Sequence, residues 1–123
     1  MTYIKINDTL YPAEIIGKME DREWGKRESK AITLEMDYAT AAELFVDGLE
    51  WSIVMESNVV DENGSVVLDE SGEPVVKAEE YDNSEYTVAG PISDNRDGTV
   101  TAKMGKPTDG EMLAELLEVL NND

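Results

Sequence analysis

In Leu49-Glu50-Trp51-Ser52-Ile53-Val54-Met55-Glu56, the side chains of Leu49, Trp51, Ile53 and Met55 fall on one side of an extended chain. Those of Glu50, Ser52, Val54 and Glu56 fall on the other. A period of two belongs to a strand with one face on a core. Trp51, inside that alternation, is expected in the core.

The same period recurs on both sides. From Ser29, Ile32, Leu34 and Met36 alternate with Ala31, Thr33 and Glu35. Ile4 and Ile6 flank Lys5, Asn7-Asp8-Thr9 reads as a turn, and Leu10, Ala13 and Ile15 follow. This is an N-terminal hairpin, and Pro12 argues for a sheet edge because it lacks an N–H. The charged stretch Gly17–Lys30 reads as a connection with a possible strand start. Tyr86, Val88 and Gly90 lead to a hairpin turn at Asn95-Arg96-Asp97-Gly98. Val100, Ala102 and Met104 form the return strand.

Two helices interrupt the strands. Asp37 can cap one with the apolar stripe Ala41, Leu44 and Phe45, although Thr40–Glu43 also has capping-box spacing; Gly48 is placed to end it. Thr108 and Glu111 form a second capping box. Behind it Leu113, Leu116, Leu117 and Leu120 make a helical stripe, expected to dock on the sheet. The sum is an α+β fold, mainly antiparallel β, either a sandwich or a partly open barrel, with a short helix after the third strand and a C-terminal helix. One domain over residues 1–123 is expected, without internal repeats.

Residues 56–85 hold ten acids and one base, Lys77. Val59-Val60, Val66-Val67 and Val75-Val76 are separated by Asn63-Gly64 and Ser71-Gly72 turns. An acidic hairpin or loop insertion at about 57–82 is expected to project from the body. Asp61, Asn63 and Ser65 have the spacing of a calcium loop, but Val66 stands where glycine is needed and Gly72 where the bidentate glutamate is needed. No metal site and no cofactor is expected.

The chain has no His, no Cys and 28 acids against 10 bases, a formal charge of -18. The commonest general base, the readiest nucleophile and the usual zinc ligands are thus missing. Such a charge repels phosphate backbones and anionic lipid, so direct nucleic-acid or membrane binding is not expected. Met1–Asp8 carries no apolar signal-peptide core, and no apolar run is long enough to span a bilayer. The candidate contacts are Trp24 with Arg22 and Arg27, and the acids Asp61, Glu62, Asp69, Glu70 and Glu73. Trp24 is either a binding hot spot or folded over one end of the core with Arg22 or Arg27 stacked on it.

Tyr11-Pro12-Ala13, the run from Trp24 to Leu34, the run from Phe45 to Ile53, and Gly90-Pro91-Ile92-Ser93-Asp94-Asn95-Arg96-Asp97-Gly98-Thr99-Val100 resemble small acidic proteins encoded in prophages of gut Firmicutes. Those genes lie among tail-morphogenesis genes of long-tailed phages. The resemblance covers most of the chain, with length variation concentrated between Ser57 and Glu80. It implies an origin among tail-module genes; together with the absence of His and Cys, the expected function is that of a non-enzymatic structural or assembly protein of the tail module. Its expected partners are other phage structural proteins, with a basic surface, and further copies of itself. The expected location is the bacterial cytoplasm during assembly, or the virion. The residue chemistry leaves two alternatives: an acidic DNA mimic that blocks a basic nucleic-acid-binding protein, and a hydrolase using carboxylates alone.

Overall fold

The computed structural model describes residues 1–121, without the side chains of 115 and 118–121. Seven strands follow in order: β1 (Thr2–Ile6), β2 (Thr9–Asp21), β3 (Arg27–Glu35), β4 (Ser52–Asn58), β5 (Val76–Asp82), β6 (Val88–Asp94) and β7 (Thr99–Gly105). Helix α1 (Tyr38–Leu44) lies between β3 and β4, and α2 (Asp109–Asn121) follows β7. All pairings are antiparallel, in the order β5-β4-β1-β2-β3-β7-β6. The sheet is open, with β5 and β6 at its edges.

Local chemistry sets the turns. Asn7 and Asp8 both adopt positive φ, 51° and 65°, which suits a two-residue hairpin. Asp37 caps α1 by accepting a hydrogen bond from the Thr40 amide at 2.7 Å. Thr108 and Glu111 form the reciprocal capping box of α2: the Thr108 amide donates to Glu111 Oε1 at 2.9 Å, and the Glu111 amide to Thr108 Oγ1 at 3.2 Å.

One sheet face carries the core. Ile4, Ile6, Ile32, Leu34, Val100, Ala102 and Met104 point to it from the strands. Ala41 and Phe45 cover them from α1, and Trp51 and Tyr86 meet edge to face, ring centres 6.2 Å apart. The Trp51 indole N–H donates to the Tyr86 carbonyl at 3.3 Å, so the buried ring keeps its polar atom satisfied.

Five expectations need correction. Pro12 lies in β2, inside the sheet rather than at its edge. It is tolerated because β2 changes partners there: Pro12 is opposite Tyr3 of β1, and pairing with β3 starts at Ala13. Gly17–Asp21 continues β2 instead of forming a connection, and a 3-10 turn, Arg22–Trp24, follows. Gly48 takes positive φ (82°), but α1 has already ended, capped by Phe45 in extended backbone.

The fourth correction concerns α2. Leu113, Leu116 and Leu117 are 57%, 56% and 50% exposed, and Met112 is 50% exposed; the Leu120 side chain lies outside the description. The stripe does not dock on the sheet. Both faces near the end of β7 are already occupied, one by Tyr86 and the core, the other by Trp24 and Arg27.

Between β4 and β5 the chain makes two further small hairpins, with Val60 opposite Val66 and Leu68 opposite Pro74. Three backbone bonds close a ring: the Val67 amide donates to the Val59 carbonyl, Val75 to Val67 and Val59 to Val75, at 2.8–2.9 Å. The ring reflects an eight-residue repeat, Val59-Val60-Asp61-Glu62-Asn63-Gly64-Ser65-Val66 and Val67-Leu68-Asp69-Glu70-Ser71-Gly72-Glu73-Pro74. It corrects the expectation that the chain lacks repeats.

Candidate functional site

The order of β2, the 3-10 turn and β3 fixes Trp24. Asp21 is fully buried at the end of β2. Its carboxylate accepts from Lys103 Nζ at 2.8 Å, from Ser29 Oγ at 3.1 Å and from the Glu23 amide at 3.1 Å. The Lys103 bond, helped by the other two donors, outweighs burial and holds the carboxyl below its usual range. Asp21 thereby caps the 3-10 turn and aims the next residues across the sheet.

Trp24 lies flat on β6 and β7. A Cβ on Gly90 would stand 2.6 Å from its ring, and one on Gly105 2.8 Å from it. Only glycine leaves room for the indole at both positions. Arg27 stacks on the ring with Cζ 4.5 Å from its centre. Arg22 is exposed and takes no part. Thus Trp24 folds back on the sheet, with Arg27 rather than Arg22 as its cation.

Arg27 does more than stack. It donates to the Trp24 carbonyl at 3.3 Å and the Lys106 carbonyl at 3.2 Å. Its Nη atoms reach both oxygens of Glu111, at 2.8 and 3.0 Å. This two-pronged bridge ties the first turn of α2 to the sheet. The Arg27 bonds, with the Thr108 amide, bring the Glu111 carboxyl down to about 2. Glu111 was not among the candidates; its place in the capping box was visible, but its partner 84 residues away was not.

On the opposite face Tyr86 donates to Glu28, and Lys106 meets Glu28 at 3.2 Å and Glu85 at 3.4 Å. Burial, then the Glu28 bond, pushes the Tyr86 phenol well above its usual range. The Tyr86 bond holds the Glu28 carboxyl down. Each charge here has an opposite partner, so the cluster locks β3 to the segment before β6.

The acidic candidates divide in two. Asp61 Oδ1 accepts from the Asn63 and Ser65 amides at 2.9 and 3.0 Å, and Asp69 Oδ1 from Ser71 and Glu73 at 2.8 and 3.0 Å. Both carboxylates shape the turns they sit in. Glu62, Glu70 and Glu73 are exposed. Trp24 and Arg27 thus gather at the base of α2, whereas the five acids gather on the arm.

A solvent-open hollow of about 1220 Å³ is lined by Ala13, Ile15, Leu34, Ile53 and Met55, with Glu14, Glu35 and Asp97 exposed at its margin. Among the described residues, no group of three carboxylates is arranged to hold a metal ion, and no helix is long and apolar enough to cross a membrane. The feature that sequence reasoning assigned elsewhere is the apolar row of α2. It is held at its base by Arg27 and turned to solvent. No family model, no curated protein and no solved structure matches the chain.

Proposed function

We propose that this protein acts by protein–protein contact, as a structural or assembly protein of a phage tail module, and that α2 is its principal contact. The exposed row Met112, Leu113, Leu116 and Leu117 carries this reading. Fully burying such a side chain from open water is worth about 1.5–3 kcal/mol, and these are already about half covered, so each adds about half of that when a partner covers the row. The Arg27–Glu111 bridge fixes the first turn before binding, which lowers the ordering cost of association. The tail assignment comes from the resemblance of the sequence to prophage proteins. The protein would work in the host cytoplasm during assembly or remain in the particle. Its partners would be other tail proteins with basic surfaces and further copies of the chain.

The test is mass spectrometry of particles induced from a lysogenic host, with sedimentation of the purified full chain. The chain is expected in particles or in tail intermediates. A chain that is absent from both, and monomeric at high concentration, contradicts the reading.

A further inference from the structure

A second surface, distinct from α2, lies on the arm between β4 and β5. In antiparallel pairs directly opposed residues share a face, and so do residues two apart along a strand. Val60 opposes Val66, Leu68 opposes Pro74, and Asn58 opposes Val76. Residues 58 and 60, 66 and 68, and 74 and 76 are two apart. All six therefore face one way. Val59, Val67 and Val75 face the other, where they are half-buried.

The first face is a platform of exposed aliphatic side chains. Val60 is 56% exposed, Leu68 58%, and Val66 and Val76 are comparably open. Threonine would serve the strand pairing equally well, so folding of the arm does not explain the aliphatic choice. Around the platform run two turns that hold Asp61, Glu62, Asp69, Glu70 and Glu73; residues 59–75 contain no Lys or Arg.

The rim decides the occupant. A second copy would bring five like charges against five, which opposes pairing through this face. We infer that the platform binds a protein surface carrying an apolar patch ringed by lysines and arginines. The apolar patch would cover Val60, Val66, Leu68 and Val76, while the cations meet Glu62, Glu70 and Glu73.

The probe is a synthetic amphipathic helix of leucine and lysine, titrated into the isotope-labelled full chain and followed by amide shifts. Saturable shifts centred on residues 58–76 are expected. Val60→Ser with Leu68→Ser should weaken binding about tenfold or more. Glu62→Gln, Glu70→Gln and Glu73→Gln together should weaken it and flatten its salt dependence. If the serine variant loses its native arm spectrum, the glutamine variant alone decides. Shifts confined to α2, or binding unchanged in either variant, would overturn the inference. So would concentration-dependent broadening of residues 58–76 in the chain alone, which would mark self-association. None of these results bears on whether α2 enters particles.

Discussion

The Trp24 indole occupies the space that a side chain at Gly90 would need: a Cβ there would come within 2.6 Å of the ring. The contact explains two glycines in strands, Gly90 and Gly105, where neither takes positive φ. Gly90→Ala should therefore destabilise by about 1–3 kcal/mol, as overpacking does. In a Trp24→Ala background the same substitution should cost less, because the opposing ring is gone. Denaturant titrations of the four variants give the coupling. Equal costs in both backgrounds would contradict the packing.

Glu111 should titrate near pH 2, and Arg27→Met should return it toward the ordinary glutamate range. Its folded value lies below its unfolded one, so folding favours the carboxylate. The stabilisation is complete above about pH 5 and is lost as pH falls toward 2. Carboxyl carbon shifts during acid titration provide the measurement. A Glu111 midpoint that stays put in Arg27→Met would show that the bridge is not its cause.

The buried Asp21 makes a further case. Lys103→Met removes its cation and leaves a buried carboxylate with only Ser29 and the Glu23 amide as donors. Tm should fall more than for Arg27→Met, whose partner Glu111 remains half in water. The depressed Asp21 value has the same sign as that of Glu111, so the loss from Lys103→Met should shrink as the solution is acidified. A loss that does not depend on pH would point to packing of the lysine stem instead.

Much of the fold was legible because alternation at Ile4–Ile6, Ser29–Met36 and Val100–Met104 reports one buried face directly. Helix starts at Asp37 and Thr108 were legible from cap chemistry. The strand at Ser52–Asn58 was legible only in part: Trp51 and Ile53 point to the core, but Met55 is exposed and Val54 is buried on the far face. Helix α1 packs on β6 and β7, at the other side of the sheet, and so leaves Met55 uncovered. The α2 stripe failed for a related reason. Its period states that one side is apolar, not that the sheet has room for it. The ring of Val59, Val67 and Val75 is written in the eight-residue spacing, but the two repeat units differ most at Asn63/Ser71, Ser65/Glu73 and Val66/Pro74, which blurs the period. Trp24 against Gly90 joins residues 66 apart, which no local pattern discloses.

Stability should separate core from contact surface. Ile32→Ala, fully buried, should cost about 2–5 kcal/mol. Leu113→Ser, Leu116→Ser or Leu117→Ser should each stay within about 0.5 kcal/mol. Chemical denaturation decides. Losses of core size at the three leucines would mean that α2 is docked in solution.

The central claim, that the chain works through the uncovered face of α2, is tested most directly by competition. Wild type and the triple leucine-to-serine variant are expressed together in one induced lysogen, and their ratio in purified particles is read by mass spectrometry. The account predicts a variant that folds and accumulates normally yet is strongly depleted from particles. Equal incorporation of the two chains would contradict it.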